Sequence, residues 1–182
     1  MDLNKADFGT VIKFGNLEDF LKKLNIKNKC MEEVVNFVDK NGTSLLETSL
    51  ISRKFDTAKF LLDNNAQVNV ISNEGRNELH YVAANINCIG AVDVAYRLVE
   101  MGVDLNLKDK KFANSAILSL CQEVLKERTQ DGNHLVVHCL EKRPNFNDSN
   151  KFGCSLKQVI EERGTEDMKK VVFNKTIHNW II

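Results

Sequence analysis

Apolar residues recur along the chain in short groups at helical spacing, and the groups come in pairs. Leu46, Ser49 and Leu50 lie at i, i+3 and i+4, as do Ala58, Leu61 and Leu62, so each trio shares one face of a helix. One such pair of short helices cannot bury its apolar faces alone, whereas stacked neighbours can. The pattern predicts an all-α array. The single proline, Pro144, points the same way, because folds with many strands and turns use more.

Polar marks separate the pairs at a nearly constant interval. Four asparagines each follow an apolar residue, in Val35-Asn36, Val68-Asn69, Leu105-Asn106 and Phe146-Asn147. Three residues on from each stands a short polar side chain: Asp39, Ser72, Asp109 and Asn150. Six residues on stand Gly42, Gly75, Phe112 and Gly153. Such a stretch reads as a turn, in which the short side chain bonds the backbone and glycine supplies positive φ. Upstream, Leu61-Leu62, Leu98-Val99 and Cys139-Leu140 each end seven residues before the next asparagine. Asn65 and Gly102 follow the second helices, where a left-handed residue closes a helix. Successive asparagines are 33, 37 and 41 residues apart.

The marks divide the chain into about five units in a single repeat domain, approximately 3–36, 37–69, 70–106, 107–147 and 148–174, with a tail at 175–182. Ten short helices follow, joined by β-hairpin-like turns. The third and fourth units carry about four and eight extra residues, expected between their helices near Asn85–Val92 and Lys126–Asn133. The first has a lengthened exit, Asn25–Val34.

These units resemble the ankyrin repeat, a turn and two helices in about 33 residues. Gly75-Arg76-Asn77-Glu78-Leu79-His80-Tyr81-Val82-Ala83-Ala84 is similar to the family's T-P-L-H-x-A helix start. Leu98-Val99-Glu100-Met101-Gly102-Val103-Asp104-Leu105-Asn106 and Leu61-Leu62-Asp63-Asn64-Asn65-Ala66-Gln67-Val68-Asn69 resemble its L-L-x-x-G-A-x-x-N helix end. Gly15 to Leu24 looks like the second helix of an opening repeat, and Gly153 to Val172 like a closing one. No unit has the family's proline after the threonine position. The resemblance implies an ankyrin solenoid of bacterial type that binds protein, with His80 as a structural residue bonding the adjacent turn.

Composition limits the functional classes. Lys+Arg and Asp+Glu both number 25, so nothing global favours nucleic acid or an anionic membrane as partner. No basic-then-apolar leader opens the chain, and no apolar run approaches a membrane span. The five cysteines are scattered, with no C-x-x-C, as expected of reduced thiols in a cytoplasmic protein. The abundance of Asn and Lys suggests an AT-rich coding source, bacterial or viral.

Chemistry is sparse. His134 and His138 share a helix face beside Cys139, but no further ligand lies at zinc spacing, and Cys139 falls on a core leucine position. Phosphate-loop, nucleophile-elbow, zinc-protease and dinucleotide motifs are all missing. The expectation is a non-enzyme without metal or cofactor; the remote alternative is an enzyme using a Cys–His pair.

In the resembled family, partners meet the turn tips and the exposed side of the first helices. Here the tips are Lys40-Asn41, Asn73-Glu74, Lys110-Lys111 and Lys151-Phe152; Thr43, Arg76, Ala113 and Cys154 lie just inside. Ile51-Ser52, Ala84-Asn85 and Cys121-Gln122 lie further along. The candidate partner-binding residues are Lys40, Asn41, Thr43, Asn73, Glu74, Arg76, Asn85, Lys110, Lys111, Gln122, Lys151 and Phe152. Five bases against Glu74 alone predict one protein partner with an acidic patch, bound by a monomer; the other reading is that lysines sit at tips because tips are solvated. Phe152 either packs onto the stack or anchors a partner. Trp180, Ile181 and Ile182 either fold back over the last repeat or present a short peptide. Two narrower roles fit the resemblance: an immunity protein that neutralises a bacterial toxin, and a viral or effector inhibitor of a host factor in the manner of the NF-κB inhibitors.

Overall fold

A computed structural model describes residues 1–173, so the expected roles of Trp180, Ile181 and Ile182 lie outside the described residues. Ten α-helices are present among those residues: α1 Phe8–Phe14, α2 Leu17–Lys27, α3 Leu45–Ile51, α4 Phe55–Asp63, α5 Glu78–Ala83, α6 Ala91–Glu100, α7 Ala116–Glu127, α8 Gln130–Glu141, α9 Leu156–Arg163 and α10 Glu166–Phe173. They form five antiparallel pairs in two layers. The odd-numbered helices pack in succession from α1 to α9, and α4, α6, α8 and α10 pack in succession behind them. One 3₁₀ turn, Met31–Glu33, occupies the long exit of the first pair.

Local chemistry sets the helix ends. Ser44, Asn77 and Ser155 cap α3, α5 and α9, each in a reciprocal box with the residue three on: Glu47, His80 and Gln158. Asn65 (φ 62°) and Gly102 (φ 81°) close α4 and α6 in the left-handed region as expected. Ala66 N–H donates to Leu61 O at 3.0 Å and Val103 N–H to Leu98 O at 3.0 Å, the 6→1 bond of a Schellman end. The apolar stripes meet between the layers: Leu61, Leu79 and Leu98 have no exposed surface, and Leu62 is 4% exposed.

The asparagine marks couple neighbouring units. Asn36 Oδ1 accepts from Gln67 N–H (2.8 Å), Asn69 Oδ1 from Asp104 N–H (2.6 Å) and Asn106 Oδ1 from Asn145 N–H (2.7 Å). Each asparagine thus reaches forward to the exit of the following pair.

Two details depart from the sequence expectation. In the third unit the extra residues do form a loop between α5 and α6. In the fourth they do not: only Arg128 and Thr129 separate α7 from α8. The added length is helical, with 12 residues in both α7 and α8 against 7 and 9 in α3 and α4. Nothing between Ala116 and Glu127 breaks a helix, and Thr129 starts the next one by accepting from Gly132 N–H. Second, the fourth turn is one residue longer than its equivalents. Single antiparallel bridges join Val38 to Ser44 and Ser149 to Ser155, but Lys108 to Ser115. The positive-φ residue there is therefore Ala113 (φ 55°), not Phe112, and Asn114 takes the inner place expected for Ala113.

Candidate protein-binding face

Each turn is built on its short polar residue. Asp39 Oδ1 accepts from the N–H groups of Asn41 and Thr43, both at 2.8 Å. Asp109 accepts from Phe112 and Asn114, and Asn150 Oδ1 from Phe152 and Cys154. Successive turns are then joined at their tips through the backbone. Asn73 N–H donates to Asn41 O (3.1 Å), Lys110 N–H to Glu74 O (2.9 Å) and Lys151 N–H to Phe112 O (2.9 Å). Close approach at one joint requires glycine: a Cβ on Gly75 (φ 74°) would stand 2.9 Å from Lys110 Cγ and 3.2 Å from Lys110 N.

The tip lysines share in this joining. Lys110 Nζ donates to Asn73 O at 3.0 Å, and Lys151 Nζ to the carbonyls of Lys110 (2.7 Å) and Lys111 (2.9 Å). Lys111 Nζ lies 4.8 Å from the centre of the Phe112 ring. Phe152 is 76% exposed and leans on Phe112, ring centres 6.1 Å apart. One edge of the Phe152 ring thus packs on the stack while most of the ring meets solvent.

The structure gathers the sequence-selected residues into separate groups. Asn41, Thr43, Asn73, Glu74, Arg76 and Asn85 line one groove of about 560 Å³ between the second and third turns. Its floor includes Ile51 and Tyr81. Arg76 pairs with Glu74 at 3.1 Å and lies 5.9 Å from the Tyr81 ring. The Tyr81 hydroxyl donates to Ser72 Oγ at 2.9 Å, and burial pushes its pKa up. Asn85 is largely committed within the stack: its oxygen accepts from Arg53 Nε (2.9 Å) and its amide donates to Leu50 O (3.2 Å). Lys110, Lys111, Lys151 and Phe152 form a second cluster at the fourth and fifth tips. Gln122 stands apart on α7.

Lys40 belongs to a neighbouring groove of about 580 Å³ that shares Thr43 and Ile51 with the first. Phe14 and Phe37 line it, 71% and 51% exposed. Sequence reasoning missed both. Val70 and Leu107, at Phe37's position in the next two units, are half-buried. Ahead of α1 the chain makes a turn of another kind, with the N–H groups of Lys5 and Ala6 donating to Asp2 O, so comparison with the later units gave no guide to the surroundings of Phe37.

Two of the histidines considered for chemistry, His80 and His138, have structural partners. His80 Nε2 lies 3.2 Å from Asn114 O and its Nδ1 3.3 Å from Asn77 N, so the imidazole ties its own cap to the next turn. Burial lowers its pKa and keeps it neutral. His138 meets Glu100 at 2.6 Å. Cys121 and Cys139 are buried, which pushes both thiols up to about 12 and withholds the thiolate a nucleophile requires. Two buried carboxylates were not foreseen. Glu78 accepts from the N–H groups of Asn69 and Val70, and Glu47 accepts from Ser44 N–H while its Oε1 has no partner among the described residues.

No helix among the described residues is long and apolar enough to cross a membrane. A comparison with curated proteins gave no match. Residues 9–109 match the family model for ankyrin repeats in three copies. Members of that family are generally non-catalytic protein-binding modules. With more than half its length matched and paired helices stacked throughout the described residues, the chain belongs to the ankyrin repeat family.

Proposed function

We propose that this protein is a monomeric, non-catalytic cytoplasmic binder that covers a functional surface of one protein partner, in the manner of an immunity protein covering its toxin. One array spans residues 3–174 in the five units given above. The observation that carries the reading is the groove between the second and third turns, which brings six of the twelve sequence-selected residues to one surface. The cationic and aromatic cluster at the fourth and fifth tips extends that surface. An acidic patch on the partner complements it, while neither nucleic acid nor membrane is engaged.

Co-purification from the native host is expected to yield one dominant protein, and its gene is expected beside this one. Lys111→Glu is the cleaner charge reversal, because Lys110 also ties down the neighbouring turn. It should slow association on the order of threefold at low salt, with the effect shrinking as salt screens exposed charge. Phe152→Ala should weaken binding by about 2 kcal/mol, mainly through faster dissociation. Surface-plasmon kinetics on the purified pair measure both. Intact binding by both variants and by Arg76→Ala, with loss on changing residues 126–133, would place the interface on the opposite rim.

A further inference from the structure

One charged side chain of the interior lacks an opposite charge beside it. Lys23 of α2 is 1% exposed, yet its ammonium meets only a neutral group: Nζ donates to Leu3 O at 2.5 Å. An ammonium carries three N–H groups, and the other two have no acceptor among the described residues. Asp7 and Asp2 act on it only from a distance, and Lys27 opposes them. Burying a charge without a direct counter-charge is costly. Lys23 also lines a pocket of about 380 Å³ between the turn that precedes α1 and the end of α2. Lys5, Lys27 and Lys29 line it too, against Asp7 alone. Lys29 meets Glu33 at 2.6 Å, Lys5 meets Asp2 at 3.9 Å, and Asp7 caps α1 by accepting from Thr10 N–H at 2.6 Å. With all three carboxylates counted, the four ammonium groups still leave a positive excess, and Lys23 is the buried member. Apolar groups make up most of the remaining wall: Ala6, Phe8 and Phe37, with Lys23 Nζ 5.9 Å from the centre of the Phe8 ring.

We infer that this pocket binds a small organic carboxylate with an apolar body. The carboxylate accepts from the two open N–H groups of Lys23, with Lys27 adding attraction at the mouth, and the apolar body lies against Phe8 and Phe37. The chemistry selects both halves of the ligand. A single buried ammonium matches a single negative charge, and a charge-assisted hydrogen bond is stronger there than in water. The apolar wall favours a ring or short chain over a strongly hydrated ion such as free phosphate, which would give up its water for few new partners. The site stands apart from the turn tips, so its test leaves the protein-binding reading untouched.

The test is a calorimetric and NMR titration of the full chain with three probes: 4-phenylbutyrate, its neutral counterpart 4-phenylbutanol, and acetate. The acid is expected to bind with a Kd on the order of 0.3 mM, an ordinary efficiency for a ligand of that size. The alcohol and acetate, each carrying half of the recognition, should bind about tenfold more weakly. In the wild type, side-chain resonances of Lys23 and Phe8 should shift and saturate with the Kd of the acid. Lys23→Met keeps the stem and removes the ammonium; it should weaken the acid about tenfold and leave the alcohol unchanged. Because that variant also loses the tie to Leu3 O, Lys27→Gln is the companion, on an exposed side chain. It should weaken the acid on the order of twofold at low salt, with the effect fading as salt is added. The inference is overturned if the acid shows no saturable binding, if acid and alcohol bind equally, or if acetate binds as tightly as the acid. It is overturned equally if a folded Lys23→Met keeps the affinity of the wild type, or if the shifts centre on Phe14 and Lys40 in the neighbouring groove instead of Lys23 and Phe8.

Discussion

Leu79→Ala is expected to cost about 2–5 kcal/mol, the range for emptying a leucine site in a well-packed core. Leu79 has no exposed surface, and its helix α5 packs against α3, α6 and α7 at once. The void would open where three neighbours meet, and the surrounding helices could collapse into it only by giving up their own contacts. Because an array is held by nearest-neighbour terms, the loss should spread to both flanking pairs. Urea unfolding gives the total, and amide exchange in α3 and α7 reports the spread. Lys111→Ala, on an exposed tip, should shift stability by less than about 0.5 kcal/mol. A silent Leu79→Ala would mean that the side chain does not lie between the layers.

Raising the pH should destabilise the protein through Glu47, and Glu47→Gln should remove that part of the loss. Burial pushes the Glu47 carboxyl up to about 8, from an ordinary value near 4.5, and the nearby Glu78 adds to the rise. The folded state thus holds this proton more tightly than the unfolded chain does. Its contribution is fully present below about 4.5 and disappears as the pH climbs through about 8. At 1.36 kcal/mol per pH unit the ceiling over that interval is about 5 kcal/mol. Glu78 shifts in the same direction. His80, with a lowered pKa, acts oppositely: its contribution is present above the ordinary histidine range and is lost as pH falls. Both groups are common to the wild type and Glu47→Gln, so the difference between their stability–pH curves reports Glu47 together with its coupling to Glu78. Urea midpoints at pH 5 and pH 8.5 are the measurement. The wild type should lose at least about 1 kcal/mol more than the variant between them; parallel curves would show that Glu47 stays ionised in the fold.

The architecture was legible wherever its physics is local. A short polar residue that folds a turn onto itself, a left-handed residue that ends a helix and an apolar stripe at helical spacing all leave their mark within a few positions. Asp39, Asn65 and Leu61 could therefore be assigned from the chain alone. What escaped depends on comparing units. Phe112 takes the glycine position by counting from Asn106, and only the register of the bridge between Lys108 and Ser115 moves that role to Ala113. The extra length of the fourth unit reads as a loop by spacing, yet no residue there opposes helix and both helices simply continue. The binding face was half legible. Tip positions follow from the frame, but Lys110 and Lys151 bond to carbonyls of adjacent tips, which spacing within a unit does not reveal. Phe14 and Phe37 were missed because the turn ahead of α1 differs from those ahead of the later first helices, so spacing within the repeat says nothing of their surroundings.

The forward reach of Asn36, Asn69 and Asn106 carries a consequence for how such a chain can change over generations. Each joint is made by the same side chain on the same exit backbone, whether the intervening cassette holds 33, 37 or 41 residues. Most of the added length lies at the far rim, in the loop after α5 and the prolonged ends of α7 and α8 that meet at Arg128–Thr129. Insertions there grow outward without disturbing the register of the next joint. Duplication, lengthening and loss of cassettes can thus proceed at one rim while the opposite rim, where the tips align, keeps its shape.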